Sequence, residues 1–164
     1  MAVSQSTLVA NEVASPVVFN HVGLNGARMR SIICTDENTG SDGDFLIMAR
    51  LHPEWRIAHL WWYNDTMSGA ADVDVGLFSD ADATSISAAA NKCYAEAYNT
   101  ATAKTTGPVD IAYKSRAIEN MGQFVYQDAG HTTSNKLDAY YLGVELVDAG
   151  AAGTIVINVQ FTVD

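Results

Sequence analysis

The C-terminal segment of the chain alternates apolar and polar residues with a strict period of two. The apolar set is Ile155, Ile157, Val159, Phe161 and Val163, and the positions between them carry Val156, Asn158, Gln160 and Thr162. Successive side chains of an extended chain point to opposite faces, so this pattern places one apolar face against a core. The segment therefore predicts a half-buried antiparallel strand that runs to Asp164.

Similar strand patterns recur along the chain, and most are separated by residues that favour turns. They cover residues 17–19, 28–34, 45–51, 56–63, 73–77, 109–113 and 140–147. The segments between them are rich in Gly, Asn, Asp and Ser, notably 23–26, 35–44, 64–71 and 148–153. Seven or eight strands without regular alternation of strand and helix predict an all-β fold, an antiparallel β-sandwich of jelly-roll type.

Two segments in the middle of the chain predict helices within a long connection of the sandwich. Residues 87–103 are rich in alanine and contain Lys92 and Glu96, which are good helix formers. Residues 117–128 place Ile118, Met121, Phe124 and Val125 at helical spacing, with Gly130 positioned to end the helix. We therefore expect one or two short helices.

The length and composition predict one domain with an N-terminal extension. A chain of 164 residues, 48% of them hydrophobic, is long enough to bury a sizeable core. Residues 1–16 have no strong period and end at Pro16, so we expect a flexible arm over 1–16 and a single β-sandwich domain over 17–164. The N-terminus lacks the pattern of a signal peptide, and no apolar run reaches the length of a membrane helix, which predicts a soluble protein made in a cytoplasm.

The charge balance argues against a nucleic-acid partner. Nineteen acidic residues against nine basic ones give a formal net charge of −10. Binding to a phosphate backbone depends on Lys and Arg, so an acidic surface would repel it. Arg28, Arg30 and Arg50 could pair with acids of a partner or within the sandwich, and exposure of Arg50 would favour the partner.

The sequence predicts no cofactor and no metal site. Cys34 and Cys93 are expected to be free, buried thiols, since two isolated cysteines form no disulfide framework. The four histidines, His21, His52, His59 and His131, lack the spacing of a metal site. The loop with Asp36, Glu37, Asp42 and Asp44 could offer oxygen ligands to calcium, but it does not match an EF-hand, and a solvated loop is favoured.

Two pairs of adjacent or alternating residues could carry function. Trp61 and Trp62 must point to opposite faces of a strand, so at most one of them can be core and the other lies on an outer face or an interface. A protein contact is favoured there over a sugar-stacking platform. Asp72 and Asp74 could in principle serve as paired catalytic carboxylates, but their place on a regular strand favours a solvated face.

The order of several motifs resembles a family of small structural proteins of tailed phages. The motifs are GARMRS at 26–31, ARLHPEWRIAHLWWYND at 49–65, GAADVDVGLF at 69–78, VDIAYKSRAIENMGQFVYQDAG at 109–130 and YYLGVELVDAGAAGTIVINVQFTVD at 140–164. The resemblance covers roughly residues 26–164. The chain differs from the family pattern at HPEW, residues 52–55, and at the double tryptophan.

The resemblance implies that the chain is a virion structural protein and not an enzyme. It implies a capsid cement or decoration protein that binds the outer surface of the major capsid protein lattice, forms a homotrimer and is assembled in the host cytoplasm. The expected contact residues are Val3, Leu8, Val9 and Val13 of the arm, together with Trp55, Trp61 and Trp62. The alternatives are a head-fibre or tail component with a carbohydrate-binding β-sandwich, and a tail or neck component, which only its location in the particle would distinguish from a cement protein. A hydrolase is the least favoured class.

Overall fold

The computed structural model describes residues 28–38, 43–67, 72–105, 107–148 and 152–163. These residues form eight strands. They are β1 (Arg28–Asn38), β2 (Phe45–Leu51), β3 (Arg56–Asn64), β4 (Asp72–Phe78), β5 (Ala95–Asn99), β6 (Val109–Asp110), β7 (Tyr140–Leu146) and β8 (Gly153–Val163). A one-turn helix α1 (Val125–Asp128) and three 3-10 turns, Ala90–Lys92, Ile118–Asn120 and Ser134–Lys136, lie in the connections.

The strands form two antiparallel sheets with the strand order of a jelly roll. The first sheet has the order β1-β8-β3-β6 and the second β2-β7-β4-β5. Consecutive strands therefore alternate between the sheets except for β4 and β5, which are neighbours in the second sheet, so that each sheet is completed by parts of the chain that are distant in sequence. The predicted fold class, an all-β sandwich of jelly-roll type, is confirmed.

The core lies between the two sheets and is built by alternation along each strand. The predicted inward face of β8 is confirmed, because Ile155, Ile157, Val159 and Phe161 are all buried. Opposite them, Val73, Val75 and Leu77 of β4 are buried as the sequence predicts. Trp62 is also fully buried, and its Nε1 donates a hydrogen bond to Asn64 Oδ1 at 2.9 Å.

The predicted helix over residues 87–103 is wrong. The segment forms the 3-10 turn Ala90–Lys92 and then strand β5, which pairs with β4 at the edge of the second sheet. Ala97 has a φ of +46° and its N–H donates to Asp74 Oδ1 at 2.7 Å, which places a bulge where a helix would continue. The gain from burying Tyr94 and Ala95 and from strand pairing outweighs the helix propensity of alanine.

The second predicted helix, over residues 117–128, is confirmed only in its last turn. Ile118–Asn120 is a 3-10 turn, Gly122 has a φ of +80°, and α1 covers Val125–Asp128. Gly130 has a φ of +80° just beyond the helix, as a C-terminal capping glycine requires. The glycine at 122 breaks the helical spacing that the apolar residues suggest.

Two strand boundaries also differ from the predictions. β1 continues to Asn38, although residues 35–44 were predicted as loop, because residues 35–38 pair with residues 153–156 of β8. β6 is limited to two residues, Val109–Asp110, instead of 109–113. The predicted strand at 17–19, the turn at 23–26 and the arm over 1–16 lie outside the described residues, and the predicted domain division stays a prediction.

The outer face of the second sheet is partly covered by the chain itself. The 3-10 turn Ala90–Lys92 packs directly on β4 at Gly76, where an added Cβ would lie 2.2 Å from the carbonyl carbon of Asn91. Phe78, on the same strand, is fully buried and packs edge-on against Phe45 with ring centroids 5.6 Å apart. The outer face of the first sheet, by contrast, leaves the large apolar residues Ile33 and Met29 exposed.

Candidate interaction surface

The outer face of the first sheet carries the two large apolar side chains with the highest exposed fractions among the described strands. Ile33 is 69% exposed and Met29 is 56% exposed, and both lie on β1, which is an edge strand among the described residues. β1 pairs with β8 over eleven residues, so this edge is long and regular. Exposed apolar residues on a regular face are typical of a surface that binds another protein.

The strand register arranges the outer residues in rows that cross the sheet. Ile33 of β1 pairs with Asn158 of β8, which pairs on its other side with Trp61 of β3. In the next row, Thr35, Val156 and Tyr63 occupy the same three strands. We call these two rows, with Met29, the outer β1-β8-β3 face.

A groove of about 320 Å³ lies at one end of this face. Three apolar or aromatic side chains, Ile33, Val156 and Tyr63, form its walls. Polar residues complete the lining: Asn64, Asp65, Thr105, Thr154 and Asn158. None of these described lining residues is basic, and Asp65 is an exposed acid at the end of β3. The groove therefore combines apolar walls with a negative end.

Asp65 is held in place by the backbone of β8. Its N–H donates to the carbonyl oxygen of Thr154 at 3.1 Å, and its Oδ2 accepts from the Thr154 N–H at 3.3 Å. On the other side of Thr154, the register places Glu37 of β1, which is exposed. Two acidic residues thus flank the same position of β8, Asp65 within the lining of the groove and Glu37 on the neighbouring strand outside that lining.

Asn158 is a polar residue in an apolar row. Its Oδ1 is buried and has no hydrogen-bond partner, and its neighbours in the row are Ile33 and Trp61. An unpaired buried carbonyl costs stability, typically about 1 to 3 kcal/mol. The row is therefore not optimised for the stability of the isolated domain.

Substitution of Asn158 by leucine is expected to raise the free energy of unfolding by about 1 kcal/mol, because the change removes the unpaired carbonyl and keeps the branched shape of the side chain. Urea unfolding of the variant and of the parent protein measures this difference. The matched control is Gln160→Leu, two residues along the same face. A loss of stability for Asn158→Leu larger than that of the control would contradict the argument.

Trp61, which pairs with Asn158 in the same row, is held in position by His59 and Asp110. The His59 and Trp61 rings stack with centroids 5.4 Å apart and an interplanar angle of 24°. His59 Nδ1 lies 2.6 Å from Asp110 Oδ2, and Asp110 Oδ1 accepts from the Leu60 and Ala112 N–H groups, each at 3.1 Å. Trp61 thus lies half-buried on an ordered support, which lowers the entropy cost of binding.

The structure separates the tryptophans that the sequence singled out. Trp62 is core and Trp61 is on the outer face, as the opposite-face argument predicts. Because Trp62 is fully buried, it offers no surface to a partner in this fold. Trp55 lies at the opposite end of β3 and stacks on Phe161 with centroids 4.0 Å apart. The arm residues Val3, Leu8, Val9 and Val13 lie outside the described residues.

The residues considered for catalysis and metal binding have other roles or remain apart. Asp72 Oδ1 accepts from Asn99 Nδ2 at 2.9 Å and Asp74 Oδ1 accepts from the Ala97 N–H, so both carboxylates hold β5 on β4. Among the described residues, no three His, Cys, Asp or Glu side chains are close enough to hold a metal ion. Part of the acidic loop, including Asp42, lies outside the described residues, and calcium binding there stays untested.

The structure shows the state of the two cysteines. Cys34 and Cys93 are both free, as predicted; Cys34 is buried and Cys93 is partly buried. Burial raises the pKa of both thiols, which disfavours the reactive thiolate.

Arg30 and Arg50 are exposed, and exposure of Arg50 is what a contact with a partner requires. The Arg28 side chain lies outside the described part of the structure. No helix in the described part of the chain is long and apolar enough to span a membrane.

Sequence reasoning missed the groove because no local pattern marks it. Ile33, Val156 and Tyr63 come from three strands that are distant along the chain, and only the register brings them together. The alternation of Met29, Ser31 and Ile33 was visible in the sequence. It could not show which side of β1 faces the core, because Ile32 and Cys34 alternate with them and are equally apolar.

Comparison with known proteins gives structural neighbours only. No protein-family model and no curated protein matches the sequence. The fold is similar to a chain of the cyanophage Pam1 capsid asymmetric unit, with a TM-score of 0.56 and 14% identity over 85% of this chain and 87% of that chain. It is also similar to a chain of the Ralstonia phage GP4 capsid, with a TM-score of 0.51 and 14% identity over 82% and 85%. The likeness is one of fold.

Proposed function

We propose that this protein is a virion structural protein of a tailed bacteriophage. Its specific role would be that of a capsid cement or decoration protein, which binds the outer surface of the assembled major capsid lattice and stabilises it. The observation that carries the proposal is the shared fold: more than 80% of this chain superposes on chains from two phage capsid structures. The order of the sequence motifs, which resembles that of small structural proteins of tailed phages, supports the same role.

The outer β1-β8-β3 face is the surface proposed to contact the partner. It exposes Ile33 and Met29, and Trp61 is already ordered by His59. Aromatic residues with a fixed position are favoured at the centres of protein interfaces. Trp55 and the arm residues Val3, Leu8, Val9 and Val13 are proposed as further contacts.

The physical basis of stabilisation would be many weak contacts on one rigid lattice. A homotrimer would hold three copies of the outer β1-β8-β3 face at fixed spacing, and the arm over 1–16 would order on neighbouring capsid subunits. Once one copy binds, the others act at high effective concentration. The net charge of −10 suits the outside of the shell, away from the genome.

The proposed homotrimer predicts a mass in solution of three times 17.6 kDa. Light scattering that gives the mass of one or two chains would contradict it.

The location of the protein in the particle tests the proposal directly. Cryo-EM of the native particles that contain this protein is expected to show its density at repeated lattice positions on the outer shell. Density confined to the tail or to fibres would instead support the alternative, a head-fibre or tail component. No association with a particle would overturn the virion role.

Replacement of Ile33 by glutamate tests the outer β1-β8-β3 face. The change puts a charge at the most exposed apolar residue of the face, and we expect capsid affinity to fall at least about 30-fold, the scale of a hot-spot residue. The measurement is co-sedimentation with capsids depleted of the native protein. Met121→Glu is the matched control, because Met121 is 52% exposed and lies outside this face. Equal retention of both variants would exclude the face.

A further inference from the structure

We propose that the groove on the outer β1-β8-β3 face binds an arginine side chain of a protein partner. The inference deepens the proposed function, on which it rests for the identity of that partner, a capsid subunit. It names the kind of side chain that the partner would present.

The walls of the groove fit an aliphatic stem. Ile33 and Val156 lie in neighbouring rows of adjacent strands, and rows two residues apart are separated by about 7 Å along the sheet. The side chain of arginine has three methylene groups that pack well on apolar surface while the charged end remains polar. The volume of about 320 Å³ is at the lower end of the range for ligand pockets, as expected for one side chain.

The end of the groove fits a cation. Asp65 is fixed through two backbone contacts with Thr154, and its carboxylate is one row beyond Val156. Glu37 lies on the other side of Thr154 and adds a second negative charge. No ion pair among the described residues uses Asp65 or Glu37; the pairs are His59–Asp110, Lys92–Glu96 and Arg116–Asp128. Within the described part of the chain, neither carboxylate is therefore neutralised by an ion pair, and each can accept a positive group from a partner.

Tyr63 favours arginine over lysine. Tyr63 lines the groove in the same row as Val156, two residues before Asp65 on the chain. A guanidinium group is planar and weakly hydrated, stacks on an aromatic face and binds a carboxylate through two parallel hydrogen bonds. An ammonium group keeps more of its water and has no flat surface to stack. The combination of ring and carboxylate therefore selects the guanidinium.

A titration of the full-length, isotope-labelled protein with N-acetyl-L-argininamide tests the inference without any capsid. NMR is expected to show saturable shifts of the Ile33 and Val156 methyl groups and the Asn158 amide group at millimolar concentrations. N-acetyl-L-leucinamide at the same ionic strength is expected to bind at least about five-fold more weakly. Equal affinity for leucinamide, equal or tighter binding of N-acetyl-L-lysinamide, or no shifts at these residues would each overturn the inference.

Two variants make the test specific. Asp65→Asn keeps an acceptor for the Thr154 N–H but removes the charge, and we expect it to weaken argininamide binding at least five-fold. Tyr63→Leu is expected to reduce the preference for arginine over lysine. Glu119→Gln, an exposed acid outside the groove, is the control and should leave binding unchanged. Full binding by Asp65→Asn would overturn the assignment of the charged end.

The outcomes for the inference and for the proposed function are separable. A protein that binds N-acetyl-L-argininamide in the groove but is absent from capsids would overturn the proposed function and leave the groove assignment intact. A protein that lies on the capsid lattice but does not bind argininamide would overturn the groove assignment alone.

Discussion

Replacement of Arg116 by methionine is expected to lower the free energy of unfolding at pH 7 by about 3 to 5 kcal/mol, the usual cost of breaking a buried ion pair. The side chains of Arg116 and Asp128 are 3% and 2% exposed. Arg116 Nε donates to Asp128 Oδ1 at 3.0 Å, Nη2 contacts Oδ2, and Nη1 donates to the Ile57 carbonyl oxygen at 3.2 Å. The variant leaves the Asp128 carboxylate buried with the Tyr94 hydroxyl as its remaining donor, at 3.0 Å.

The loss is expected to depend on pH in a defined direction. Burial raises the pKa of Asp128 from 3.8 to about 6, although Arg116 and the Tyr94 hydroxyl act against the rise. Because this folded-state pKa lies above the unfolded value, the stability that the carboxyl contributes is complete below about pH 4 and is lost as the pH rises through 6. Without Arg116 the pKa rises further, so the difference between parent and variant should grow as the pH increases above 6.

Urea unfolding at pH 5.5 and pH 7.5 measures this effect. The double variant Arg116→Met/Asp128→Leu is the control, since removal of both charges is expected to restore most of the lost stability. A difference between parent and Arg116→Met that shrinks at the higher pH would contradict the assignment. Failure of the double variant to recover would show that the packing and backbone contacts of Arg116 matter more than its charge.

Replacement of Gly76 by alanine is the second change with a large expected effect, a loss of about 3 kcal/mol or more. The new Cβ would lie 2.2 to 2.3 Å from the carbonyl groups of Ala90 and Asn91. These are backbone atoms, so the 3-10 turn Ala90–Lys92 would have to move away from β4 as a unit. Thermal or urea unfolding measures the loss, and near-ultraviolet circular dichroism reports the displaced aromatic side chains.

Gly143→Ala provides the matched comparison. Gly143 pairs with Gly76 across β7 and β4, and its added Cβ would lie 2.5 Å from two ring carbons of Phe78 and 3.1 Å from Ile47 Cδ1. Side chains can rotate where backbone cannot, so a smaller loss of about 1 to 2 kcal/mol is expected. If Gly143→Ala costs as much as Gly76→Ala, the rigid packing of the 3-10 turn is not the cause.

The strands were predictable wherever one face is buried and the other is not. In β8, and in β4 as far as Val75, the alternation of residue types follows the alternation of burial, and the predicted inward residues Val73, Val75 and Leu77 are buried. The jelly-roll class followed from the number of such segments and the turns between most of them. The adjacent tryptophans of β3 obeyed the same rule, which assigns one of them to each face.

The predictions failed where partner strands decide the conformation. Residues 95–99 have the composition of a helix, but β4 offers them an edge to pair with, and the bulge at Ala97 fits them to Asp74. Residues 35–38 look like loop, yet β8 extends β1 through them. The groove has the same origin, because it exists only when Ile33, Val156 and Tyr63 are brought into register. A single chain segment carries no information about the strand that will lie beside it.

The 3-10 turn Ala90–Lys92 gives the sandwich two unequal sides. At Gly76 and Phe78 the outer face of the second sheet is covered by other parts of the chain. On the first sheet, by contrast, Ile33, Met29 and Trp61 point outward. A partner that approaches at random finds one side with its most exposed apolar residues uncovered and one side that the chain itself partly covers. If many copies assemble on a common scaffold, this difference alone would make them all face the same way, and uniform polarity of the layer would follow from the fold of a single subunit.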